Sequence, residues 1–316
     1  MNNLLRLIGR RLVALPIMVV GVSFLVFFIM SLSPVDPAYS ALGESATPEA
    51  LEAYREQHGL NEPFLVQYGT YLWNMLHGDL GTYGAGSSSV TDLVAKALPI
   101  TLQLTFLGLF FAVLISFPLG VLAALYRDRW PDQVIRVFSV VGIGTPSFWL
   151  ATLLVMAFVG KLPVSGPLPD VTVSPSGWFL RMLLPAIALA VPVVGQMTRV
   201  VRTSMVEELD RDYVRTAVGA GIPKRIVVAR NVLRNALITP VTVLGLRVGY
   251  LMGGAVVIEI IFSINGMGTV VLLKGIQENW VTLVQGGALV VAIAFIVVNI
   301  IVDMLYLLIN PRIRSV

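Results

Sequence analysis

Six separate runs of mostly apolar residues constrain this chain more than any other feature: approximately 11–32, 98–126, 134–160, 182–202, 236–262 and 281–309. About 20 apolar residues in a helix match the hydrocarbon thickness of a bilayer. Inside that layer only helices and closed barrels satisfy every backbone polar group. Composition points the same way, with 56% hydrophobic and only 13% charged residues against about 25% charged in a soluble domain. So few charges cannot clothe a water-facing globule. The expected fold class is an all-α polytopic membrane protein of six transmembrane helices, with an extracytoplasmic helical segment between spans one and two.

The distribution of Lys and Arg orients the spans, because basic residues collect on the cytoplasmic side. Sixteen fall on one side: Arg6, Arg10 and Arg11, Arg127, Arg129 and Arg136, the eight basic residues of 199–234, and Arg312 and Arg314. The other side holds Arg55, Lys96, Lys161, Arg181 and Lys274, while Arg247 sits within a span. Both termini are therefore expected in the cytoplasm, which an even number of spans requires. The uncharged run from Leu12 to Val35 exceeds the 7–15-residue core of a signal peptide, so it is expected to be a retained first span. The net charge of +4 is spread through loops and is no nucleic-acid footprint.

The chain has no cysteine, which excludes disulfides, thiolate metal sites and a cysteine nucleophile. His58 and His77 lie outside the apolar spans, and no metal site is expected. No Gly-x4-Gly-Lys-Ser/Thr phosphate loop occurs, so ATP hydrolysis by that route is excluded. In the acidic segment 33–97, Thr47, Pro48 and Glu49 signal a helix start, which Gly59 closes, and a second helix runs from about Pro63 to Leu76. This segment is either an ordered cap or a docking surface for an external partner. The loop 263–280 is either a connector or an element that reaches the substrate path or a receptor.

The most informative stretch is the polar one between spans four and five. Ser204 with Glu207 fits a capping box, and the helix is expected to stop at Gly219 or Gly221, with Pro223 opening the next one. Tyr213, Ala217 and Ala220 share one face. Such a short amphipathic helix suits a groove on a soluble partner, or else lies flat on lipid headgroups. A rising helix then leads into span five.

The run from Asp212 to Ile222, followed by Arg234 to Pro240, resembles the coupling loop of ABC-importer permeases of the dipeptide/oligopeptide/nickel type. The general importer pattern is Glu-Ala-Ala, three residues, Gly, nine residues, then Ile-x-Leu-Pro. Here Arg215, Thr216 and Ala217 precede Gly221 at that spacing, and the run from Asn231 to Arg234 stands at the end of it. The Glu, Ile and Pro positions differ, as in the peptide branch. The stretches 33–37, 78–82, 146–149, 253–259, 266–268 and 303–314 extend the resemblance over nearly the whole chain, with Val35 standing where the family usually has glycine.

The resemblance implies a type I importer transmembrane domain divided into 1–32 (cytoplasmic N-terminus and first span), 33–97 (extracytoplasmic segment) and 98–316 (transmembrane core with coupling loop 203–235). It implies a non-catalytic permease in the bacterial inner membrane. Its partners would be a paralogous second permease, two cytoplasmic ABC ATPase subunits and an extracytoplasmic substrate-binding protein. ATP and magnesium would sit on the ATPases, with no cofactor on this chain. Asp212, Tyr213, Val214, Arg215, Thr216, Ala217, Gly219 and Gly221 would form the ATPase-coupling helix. Dipeptides or oligopeptides are the expected cargo; nickel complexes, glutathione or another small solute are the alternatives.

Ionisable groups inside spans are costly and mark function by default. Arg247, Tyr250 and Glu259 of span five are candidates for the translocation path or a permease interface. Arg247 and Glu259, twelve residues apart, are separated by about 18 Å of helix rise and cannot pair. Asp303 is expected to hydrogen-bond within span six. A polytopic membrane enzyme would need paired acids or histidines in the spans, and neither occurs. A secondary carrier would show inverted repeats, and none is evident.

Overall fold

A computed structural model describes the backbone over residues 2–43, 46–84 and 88–309, and side chains between Val13 and Val302 within those ranges. Arg6, Arg10, Arg11, Asp303 and the stretch from Pro311 to Arg314 lie outside the described side chains. In chain order the elements are α1 (Asn2–Ser31), α2 (Pro37–Leu42), α3 (Pro48–Gln57), α4 (Phe64–Leu76), β1 (Thr82–Tyr83), β2 (Ser88–Ser89), α5 (Val90–Leu125), α6 (Trp130–Gly144), α7 (Ser147–Phe158), α8 (Pro175–Leu209), α9 (Asp212–Gly219), α10 (Lys224–Val227), α11 (Leu233–Ala236), α12 (Ile238–Phe262), α13 (Lys274–Gln277) and α14 (Val281–Ile309). π-helical turns at Val228–Val232 and Met267–Leu273 join α10 to α11 and lead into α13.

Among the described residues, five helices are long and apolar enough to cross a bilayer, and a sixth crossing arises if the bent pair α6–α7 is one span. The third expected span, 134–160, is thus not one helix. Its two halves meet at 99°, because Pro146 supplies no backbone N–H and drives Thr145 out of the α region (φ −88°, ψ 112°). The fourth span also differs from expectation. It runs from Pro175 to Leu209, so Ser204 lies buried in mid-helix and caps nothing. The break comes instead at Asp210 and Arg211.

The chain divides into two compact units. Residues 1–102 with 263–300 form the first. Here Thr47 caps α3 as expected, its hydroxyl accepting from Ala50 N at 3.3 Å, and Gly59 takes a left-handed φ of 65° beyond the helix end. Asp36 caps α2 and is held by Arg55 of α3. Burial raises the Asp36 pKa, but the Arg55 guanidinium and the Ala38 N–H outweigh it and hold the carboxyl below its ordinary range. The loop 263–280 is packed rather than loose. Met267 and Val271 join Val90, Val94, Ala97 and Leu283 in one core, and Met267 N donates to Thr101 Oγ1 at 3.0 Å.

Residues 103–262 with 301–316 form the second unit, in which α6, α7 and α12 all pack on α8. The α6–α8 approach is backbone to backbone. A Cβ on Gly195 would lie 2.5 Å from the Ser139 carbonyl and 3.0 Å from Ile143 N, so no side chain fits without moving α6. Gly195→Ala is expected to cost about 1–3 kcal/mol through overpacking. Its check is an earlier thermal unfolding midpoint in detergent. Gly144→Ala, where a Cβ would meet nothing within 4 Å, should leave the midpoint in place.

Arg181, counted above among outer-loop charges, is instead buried in α8. Its guanidinium donates to the carbonyls of Val164 (3.1 Å), Gly166 (3.1 Å) and Phe262. Phe262 ends α12, where helix carbonyls lack intrahelical donors. Arg181 therefore ties the end of that span to the 163–166 loop.

Candidate functional site

The short helix α9 occurs where the glycine and proline spacing places it. Its N-terminus follows Arg211, whose backbone is extended (φ −68°, ψ 146°). Its C-terminus is closed by two hydrogen bonds: Gly221 N to Val218 O at 3.0 Å and Ile222 N to Ala217 O at 3.2 Å. This is the Schellman pattern, which requires a left-handed residue just past the helix; Gly221 supplies it with φ 87°. Pro223 then precedes α10. From Lys224 to Phe262 the chain is helical except at Leu237, so α9 hands over to α12 through one π-distorted rise.

The face of α9 expected to enter a partner is largely turned inward. Val214 is buried, and Tyr213 and Ala217 pack against a core of Ala124, Val201, Met205, Val227, Val232 and Ala236. A helix of eight residues cannot hold itself in water, so its apolar side is used to bolt it onto the ends of α5 and α8 and onto the rise toward α12. Tyr213 Oη donates to Glu208 at 3.0 Å, and burial lifts the phenol's pKa, which keeps that proton in place. The free face is formed by Asp212, Arg215, Thr216, Gly219 and Ala220. The side chains of Asp212 and Arg215 are 98% and 76% exposed, and a Cβ on Gly219 would meet nothing within 4 Å.

Two links not foreseen from the sequence brace this region. Asp132 of α6 is fully buried and receives both Nε and Nη2 of Arg202 in α8 at 2.6 and 2.7 Å. It also accepts from Asp128 N at 2.9 Å, fixing a tight turn in which Asp128 has φ 61°. Arg127 reaches Asp210 at 2.8 Å. The sequence signal was a pair of acids, Asp128 and Asp132, among Arg127, Arg129 and Arg136, and those arginines served only to orient the chain.

Beside the α6–α8 contact lies a cleft of about 740 Å³ lined by Gln133, Arg136, Val140, Arg199 and Thr203. A second, of about 560 Å³, shares Arg199 and Thr203 and adds Gln196, Thr239 and Val243. Thr239 and Val243 lie one turn apart on α12. Arg247 and Tyr250 continue that helix face at i+4 and i+7 from Val243. Tyr250 is exposed and Arg247 half-buried. Glu259 points elsewhere, since twelve residues beyond Arg247 is a rotation of about 120° at 3.6 residues per turn, and it is fully buried. Two of the three span-five candidates thus share a face with the clefts, and the third does not. Among the described residues no group of His, Asp or Glu could hold a metal ion.

The model of the family described as binding-protein-dependent transport system inner membrane component matches residues 116–315, and the model of its N-terminal region matches 4–105. A putative peptide transport system permease protein of Brucella abortus is 38% identical over 304 residues, covering 95% of this chain and 96% of that protein. The probable D,D-dipeptide transport system permease protein of Escherichia coli K12 is 38% identical over 330 residues, covering 97% of each. A glutathione transport system permease protein of Salmonella choleraesuis is 36% identical over 311 residues, covering 98% of this chain and 99% of the relative.

Proposed function

The chain belongs to the family of binding-protein-dependent transport system inner membrane components, and on that premise we propose that it forms half of the path of an ATP-driven importer of dipeptides or oligopeptides. As a permease subunit it is not itself an enzyme. The reading assigns ATP and magnesium to two cytoplasmic ABC ATPase subunits, the other half of the path to a paralogous permease, and delivery to an extracytoplasmic substrate-binding protein. Both termini lie in the cytoplasm, 33–97 faces outward, and 98–316 is the transmembrane core with the coupling loop 203–235.

The observation that carries this reading is α9, a helix bolted by one face to the ends of two spans and to the rise toward a third, and free on the other. The residues Asp212 to Gly219, closed at Gly221, seat on an ATPase. Asp212, Arg215, Thr216 and Gly219 meet it, while Tyr213, Val214 and Ala217 transmit its movement to α5, α8 and α12. Closure of the ATPases on ATP then biases two packings of the spans, which is alternating access. The clefts beside α6, α8 and α12 support a path past Arg136, Arg199, Arg247 and Tyr250, where a guanidinium can meet a peptide carboxylate. Glu259, fully buried on the other side of α12, lies off that path.

The three relatives named above are described for peptides, a D,D-dipeptide and glutathione. Each of these substrates carries carboxylates, which fits the larger cleft with Arg136, Arg199 and Arg202, whereas the second sets Glu207 beside Arg199; a nickel complex does not need them. The test is uptake of labelled di- and oligopeptides into vesicles holding the intact complex. Peptide uptake that needs ATP inside, stops with vanadate and copurifies with ATPase subunits is the expected result. ATP-independent peptide uptake by this chain alone would overturn it.

A further inference from the structure

α4 lies in an otherwise polar segment yet carries no charged residue, and the uncharged run 63–78 is bracketed by Glu62 and Asp79. One side of it holds α1 through an aromatic cluster. Phe64 contacts Phe24, Phe27 and Phe28, Tyr68 contacts Phe24 and Phe27, and Tyr71 contacts Phe27. Tyr68 Oη also reaches Val20 O at 3.1 Å and Ser23 Oγ at 3.0 Å.

These anchor points set a depth. The span of α1 runs from Val13 to Ser31, and Val20 is about 16 Å of helix rise below Ser31. The hydrocarbon layer is about 30 Å thick, so the residues that α4 crosses, 20–28, lie inside it. The opposite side of α4 is apolar and uncovered, with Leu65, Trp73 and Leu76 exposed to 73%, 64% and 68%. It continues the uncovered apolar surface of α1 at Ile17, Leu25 and Ile29. Two polar groups on α4 are turned back onto the chain, as lipid favours: Gln67 Nε2 donates to Leu60 O and Glu62 O, and Thr70 Oγ1 to Val66 O, while Asn74 stays exposed.

We propose that α4 is immersed in the bilayer leaflet farther from the N-terminus, with Leu65, Trp73 and Leu76 against lipid acyl chains, rather than forming part of a water-exposed cap. The naming of that leaflet as the outer one rests on the proposed orientation; the immersion does not. In this arrangement α4 widens the lipid-facing surface of α1 and anchors the start of the outer segment to the membrane.

The absence of native cysteine allows a direct test. Leu65→Cys, Trp73→Cys and Leu76→Cys are spin-labelled in the intact complex in phospholipid vesicles, with Glu56→Cys as the water-facing reference. Collision with oxygen should exceed collision with a water-soluble nickel chelate at all three sites, and the order should reverse at residue 56. Nickel-dominated collision at these sites, or protection from both reagents by a covering protein, would overturn the proposal. If labelling perturbs assembly, the same question is put to native Trp73. Lipid with mid-chain bromines should quench the wild type more than Trp73→Phe, and equal quenching would overturn the proposal. A complex that is inactive in peptide uptake but has lipid-facing labels leaves this inference standing. Water-facing labels in an active complex defeat it alone.

Discussion

Gly219→Trp is expected to leave the chain folded and inserted while ATP-driven uptake falls at least about tenfold, a loss of about 1.4 kcal/mol or more in coupling on the free-energy scale of equilibria. Gly219 closes α9 on its free face, with helical backbone and open space around it. A side chain there strains nothing in this chain, and replacing a helical glycine relieves a propensity penalty of about 1 kcal/mol. The indole instead occupies the surface that the proposed ATPase groove must cover. Uptake should fall together with ATPase copurification, whereas Gly219→Ala should retain both. Wild-type uptake by a complex carrying Gly219→Trp would remove α9 from the coupling role. Gly221→Val makes the useful contrast, because the left-handed φ of 87° forces strain on any side chain with a Cβ. That variant should lose thermal stability as well as uptake.

What could be foreseen and what could not divide along the range of the interactions concerned. The spans announce themselves because a bilayer imposes one long apolar window on each. The end of α9 is equally local, since Gly221 and Pro223 each meet a backbone demand within two residues of themselves. The bend at Pro146 was written in the same local code, but the apolar run on both sides masked it. Hydropathy also placed Arg181 outside span four, although α8 passes through it. Hydropathy scores an arginine as solvent-facing, whereas the partners of Arg181 include a carbonyl 81 residues away. The inward face of α9 was misassigned for a related reason. Period alone shows that Tyr213 and Ala217 are neighbours, and only the core formed by Met205, Val227 and Val232 determines that their side is the covered one.

Asp132→Ala should destabilise the chain by about 3–5 kcal/mol, because it strands a partly buried guanidinium and removes a buried ion pair with two short hydrogen bonds. The loss has two parts, and a cycle separates them. Arg202 loses both of its contacts at 2.6 and 2.7 Å, and the turn at Asp128 loses the acceptor for its N–H. Replacing both members with apolar side chains, Asp132→Leu with Arg202→Met, should recover much of the ion-pair part, since well-packed apolar substitutes for buried pairs are often neutral. The part due to the Asp128 turn should persist. Thermal unfolding of the four proteins in detergent gives the coupling, and additive losses would show that the two residues are not energetically linked. The pair matters for movement as well. Together with the close approach at Gly195 it makes α6 and α8 one body at the end where α9 attaches. A push on α9 would then carry α6 with α8, leaving the bend at Thr145 and Pro146 and the interruption at Leu237 as the joints. Loosening the pair in a variant that still folds should therefore lower uptake per ATP hydrolysed, because force delivered at α9 would be absorbed between α6 and α8 instead of reaching the path.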